Sequence, residues 1–99
     1  SNNRPMIVEL YNEDSIMCLL KSIRVKEIAD TYSENTRYRK IEVKDNNLLQ
    51  KYEIKELPSL LFFKNGELVG KIEGYFEESE KEELINQIKN IVSNTINKG

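Results

Sequence analysis

The 99-residue chain reads as a single α/β domain with elements in the order β-α-β-α-β-β-α, a four-stranded mixed sheet carrying helices on both faces. Three features predict it. Two strand-forming segments flank a helix-length amphipathic stretch, an apolar strand runs into Asn65-Gly66, and the closing segment places apolar residues at helical spacing. With 38% hydrophobic residues the chain builds one modest core, over about residues 6–92, and no second domain.

"MIVELY", Met6 to Tyr11, is rich in strand formers and lies between Pro5 and the polar "NED", which marks a buried strand. Asp14 or Ser15 then caps a helix that runs to about Tyr32. Its apolar stripe is Cys18, Val25, Ala29 and Tyr32, widened by Leu20 and Ile28, while Lys21, Arg24, Lys26 and Asp30 fall largely outside it. "SENT" ends the helix, "YRKIEV" (Tyr38 to Val43) supplies a second strand, and "NLLQKYEI" a short helical piece. The apolar strand Ser59 to Phe63 meets Asn65-Gly66, a hairpin signal because both central residues of a type I′ turn need positive φ. The return strand is Glu67 to Glu73. In the last helix, Ser79 and Glu82 stand at capping-box spacing, and acidic residues fill the first turn, where the helix dipole favours them. Its stripe is Leu84, Ile85, Ile88, Ile91 and Val92, and "NTINKG" is expected to fray.

Charge narrows the partners. Fifteen basic and seventeen acidic residues leave a net charge of −2 and no long block of one sign, so neither nucleic acid nor a membrane surface is expected as a partner. The apolar run "LPSLLFF" is far shorter than the ~20 residues of a membrane span, and "SNNRPMIVEL" lacks a signal-peptide layout. One cysteine excludes an internal disulfide, which points to a reducing, cytoplasmic location. The absence of histidine removes His-dependent triads, His metal sites and His general bases, and no metal or cofactor is expected.

The order of elements, with Pro58 opening the third strand in "ELPSLLFFKNG" and "ELVGKIEG" after it, resembles the thioredoxin superfamily over about Met6 to Val92. The resemblance implies a thioredoxin-like fold with Pro58 at the position of a cis-proline and Gly74 at a glycine near the active-site rim. It places Glu9 at the family's buried acidic position and Lys40 beside that acid; charged residues on an exposed strand face are the other reading of both. The family usually carries a further strand and helix before the segment matching "MIVELY", where this chain has five residues, so either a minimal form of the fold lacking them or a domain cut from a longer chain is expected.

The family's Trp-Cys-x-x-Cys lines up with Asp14-Ser15-Ile16-Met17-Cys18, so the resemblance puts Ser15 at the nucleophile position and Cys18 at the resolving position. Serine forms neither a thiolate near neutral pH nor a disulfide, and thiol–disulfide exchange needs both an attacking and a resolving thiol. Two readings stand. Ser15 is an N-cap and Cys18 a small buried apolar residue, or Cys18 is a single reactive thiol served by the helix N-terminus, and the resemblance implies either a degenerate thioredoxin acting in thiol or redox homeostasis or a binding module without turnover. Ser15 as a replacement of a native cysteine is a third possibility.

In the family, the backbone beside the cis-proline pairs with an extended substrate. The resemblance therefore implies a protein or peptide partner at an apolar patch of Ile16, Met17, Leu57 and Pro58, with packing of Ile16 and Met17 against their own loop as the alternative. "VELYNEDSIMCLLKS" and "ELPSLLFF" also resemble the phosducin-like branch, whose members are non-catalytic binding proteins for chaperonins or G-protein subunits.

Overall fold

The structure is a computed structural model that describes residues 5–14, 24–32, 36–75 and 78–96. Within these, the strands are β1 (Met6–Tyr11), β2 (Arg37–Glu42), β3 (Ser59–Lys64) and β4 (Glu67–Glu73). The helices are α1 (Val25–Tyr32), α2 (Asn47–Lys51) and α3 (Lys81–Ile91); a 3₁₀ turn, Glu78–Glu80, leads into α3 and a π-helical turn, Val92–Ile96, follows it.

The sheet order is β2-β1-β3-β4, with β1 parallel to β2 and antiparallel to β3, and β3 antiparallel to β4. A two-residue turn joins β3 to β4, and Asn65 and Gly66 both take positive φ, 54° and 81°, as a type I′ turn demands. The ladder slips by one residue between Phe62 and Phe63, where Phe62 pairs with Gly70 and Phe63 with Leu68, leaving Val69 as a bulge. Beside the bulge, Gly70 leaves room for Ile91 of α3: a Cβ there would stand 3.1 Å from the Ile91 side chain.

Alternation along the central strands sends successive side chains to opposite layers. Ile7, Leu60, Phe62 and Ile72 point to one face, where Val25 and Ala29 of α1 and Leu84 and Ile88 of α3 cover them. Val8, Leu10 and Leu61 point to the other, under Val43, Ile54 and the α2 segment, where Tyr52 meets Phe63 edge to face at 5.7 Å. Helices thus lie on both faces, and β1, flanked on both sides, has an interior buried from Ile7 to Leu10.

Some boundaries differ from the sequence reading. β2 starts at Arg37, whose N–H bonds the Pro5 carbonyl at 2.8 Å. α2 stops at Lys51 because Glu53 turns into the left-handed region, φ 54°. Glu80, not Ser79, is the N-cap of α3, with no side-chain cap bond, because the 3₁₀ turn delays the helix. Glu82 and Glu83 do occupy its first turn. The segment expected to fray is helical as far as Ile96. Ser15, Ile16, Met17, Cys18 and Leu20, where the sequence predicts the start of the first helix, lie outside the described residues.

Candidate functional site

Three chain segments meet at one end of the sheet: the exit of β1, the Leu57–Pro58 entry to β3, and the exit of β4 at Gly74. Tyr11 at the end of β1 accepts the Val43 N–H at 2.7 Å. Asn12 then donates its amide to the Val43 carbonyl at 2.9 Å and accepts the Asp14 N–H at 2.7 Å, which turns the chain away from the sheet. The Leu57–Pro58 bond is cis, and Pro58 is buried beside half-buried Leu57. The Gly74 N–H donates to the Pro58 carbonyl at 2.9 Å, which joins the last two segments.

Gly74 adopts φ +72°, and a Cβ there would lie 2.0 Å from Glu56 Oε2, so the Glu56 side chain lies over the glycine. The Glu73 carboxylate accepts the N–H groups of Lys55 and Glu56, at 2.5 and 3.2 Å. Lys71 Nζ donates to the Tyr52 and Glu53 carbonyls, both at 3.0 Å. Two side chains of β4 therefore fix the backbone that approaches Pro58. A cleft of about 60 Å³ beside Gly74 is lined in part by Glu73, Tyr75, Glu80 and Glu83. A larger cavity of about 210 Å³, between Met6, Arg37 and Phe63, sits at the opposite end of the sheet and takes no part in this site.

Beneath the rim is Glu9, 1% exposed on the central strand. Burial of an acid demands hydrogen-bond partners. Tyr38 Oη donates to Oε1, and Tyr75 Oη donates to Oε2 at 2.9 Å. The Tyr38 phenol is pushed well above its ordinary range, chiefly by burial and further by the bond to Glu9 and the charge of that carboxylate. Lys40 is the register partner of Glu9 across the β1–β2 ladder, but its side chain is exposed and its Nζ stands 4.7 Å above the Tyr11 ring.

Of the residues singled out in the sequence, the structure thus brings Leu57, Pro58 and Gly74 together at the rim and sets Glu9 below them. Cys18, Ser15, Ile16 and Met17 lie outside the described residues. Sequence reasoning missed Tyr38 and Tyr75. Tyr38 had a signal, standing two residues before Lys40 and so on the same face of β2, whereas Tyr75 follows a positive-φ glycine and carries no periodicity. Among the described residues no group of three His, Cys, Asp or Glu side chains is arranged to hold a metal ion, and no helix is long and apolar enough to cross a membrane.

Comparison with known proteins agrees with this architecture. Residues 1–90 match the thioredoxin family model. The thioredoxin of Pyropia yezoensis is 31% identical over 88 residues, covering 88% of this chain and 82% of the relative. That of Porphyra purpurea is 30% identical over the same shares. Among solved structures, Fasciola hepatica thioredoxin superposes with a TM-score of 0.63 at 21% identity, over 89% of this chain and 84% of its own. Thioredoxin-2 of a malaria parasite gives 0.61 at 17%, over 86% and 84%. The parallel β1–β2 pair, the hairpin after Pro58 and the family match along nearly the whole chain place this protein in the thioredoxin family.

Proposed function

We propose that this chain does not run the dithiol–disulfide cycle and acts as a peptide- or protein-binding domain through the surface beside Pro58. The observation that carries the reading is the single cysteine, Cys18, with Ser15 three positions before it. Exchange with a substrate disulfide begins with a thiolate attacking one sulfur and expelling the other, and release needs a second thiol to attack the mixed disulfide. A serine hydroxyl supplies neither step. The binding half of the reading draws support from the rim, where the path into Pro58 is fixed by Lys71 and Glu73 and the Gly74 N–H is bonded to the Pro58 carbonyl. A surface held in place before binding loses less entropy when a partner docks.

The test is insulin reduction with dithiothreitol. The expected rate equals the dithiothreitol background; turnover at a thioredoxin-like rate, lost in Cys18→Ala, would overturn the reading. Labelling by DTNB separates binding from one-cysteine chemistry, since a buried thiol reacts more slowly in the native than in the unfolded protein and a helix-terminal thiolate faster. The lone cysteine and the Leu10-Tyr11 strand end also favour a phosducin-like co-chaperone, a narrower version of the same non-catalytic class that selective capture of a chaperonin would support.

A further inference from the structure

The Tyr75 side chain joins the buried acid to the rim. Tyr75 follows Gly74 directly, is 3% exposed, and reaches Glu9 Oε2 at 2.9 Å across 66 positions of sequence. The Gly74 N–H, one residue earlier, is held by the Pro58 carbonyl. The rim therefore has an outer fastener on Pro58 and an inner one on Glu9. A tyrosine has two side-chain torsions and a rigid ring, so a fixed hydroxyl together with the surrounding core largely determines where its Cα lies. Tyr38 binds the other carboxyl oxygen from β2, on the far side of β1 from β3 and β4.

We propose that Tyr75 is a positioning residue through which Glu9 sets the geometry of the Pro58–Gly74 rim, so that the buried acid of this chain acts on partner recognition. The proposal deepens the binding reading above and rests on it for its biological meaning. The coupling itself needs no partner to be measured, so its failure is distinguishable from failure of that reading.

The experiment follows amide exchange of Gly74 by NMR in the intact chain, normalised to core amides of β3. Tyr75→Phe keeps the ring and removes one hydrogen bond, and Gly74 exchange should rise about tenfold relative to the core. Tyr38→Phe removes a donor from the same carboxyl and should leave that ratio within about twofold. Glu9→Leu removes both acceptor oxygens and should reproduce the Gly74 effect, with no further change on adding Tyr75→Phe, and it serves if Tyr75→Phe alone does not fold. An unchanged ratio in Tyr75→Phe or Glu9→Leu overturns the proposal. So does a uniform rise across all amides, which would mean that the hydrogen bond stabilises the fold without positioning the rim.

Discussion

Gly74→Ala tests how much of the rim depends on backbone conformation and how much on space. Gly74 stands at φ +72°, where an L-residue loses about 1–2 kcal/mol against glycine because its Cβ crowds the following carbonyl. The new Cβ would also arrive 2.0 Å from Glu56 Oε2, a separation that forces movement. Glu56 is exposed and its carboxylate is the end of a flexible chain, so swinging it outward costs within about 0.5 kcal/mol. The backbone contribution therefore dominates, for a total of about 1–2.5 kcal/mol, or a fall in Tm of roughly 4–20 °C for a domain of this size. Alanine keeps the N–H, so the bond to the Pro58 carbonyl persists. With no tryptophan in the chain, unfolding in urea or heat is followed by far-ultraviolet circular dichroism. The double variant Glu56→Ala/Gly74→Ala should match the single one within about 0.5 kcal/mol relative to Glu56→Ala alone. A loss above about 4 kcal/mol, or recovery of most of it in the double variant, would refute the reasoning by showing that collision outweighs conformation.

Two further expectations concern the core and the buried phenol. Phe62 is fully buried between the sheet and the α1–α3 layer, so Phe62→Ala should remove about 3–5 kcal/mol in urea unfolding, and a loss below about 1.5 kcal/mol would contradict its place in the core. Tyr38 holds its proton in the folded state to higher pH than the unfolded chain does, so it contributes stability below about pH 10 that is lost as pH rises toward the folded value. Tyrosinate absorbance near 295 nm, compared with Tyr38→Phe, should assign the missing signal to a late-titrating phenol, and an assignment near pH 10 would argue against its bond to Glu9.

The strands were legible because alternation, β-formers and a two-residue turn act within a few positions of one another. Met6–Tyr11 and Glu67–Glu73 have the ends that the sequence reading gave them. Helix ends were less legible, since competing local signals decide them. Ser79 and Glu82 have the spacing of a capping box, yet the chain spends Glu78–Glu80 in a tighter turn first. Glu53 enters the left-handed region without being glycine or asparagine, supported by Lys71 on the Glu53 carbonyl, a contact 18 positions away. The site divides in the same way. Pro58, Gly74 and Glu9 are all visible through family resemblance. The phenols that satisfy Glu9 come from positions 29 and 66 residues away and depend on tertiary packing that no local pattern encodes.

The way β4 holds the segment before Pro58 bears on how such a surface diversifies. Lys71 and Glu73 grip carbonyl and N–H groups of Tyr52, Glu53, Lys55 and Glu56, atoms that every residue type except proline supplies in full. The side chains at 53, 55 and 56 are exposed and contribute nothing to that grip. Those at 55 and 56 can be exchanged for others of different charge, size or polarity while the main chain keeps its course, and at 53 the positive φ bars only proline and β-branched residues, so variation there rewrites what the surface prefers to touch without loosening the scaffold that presents it.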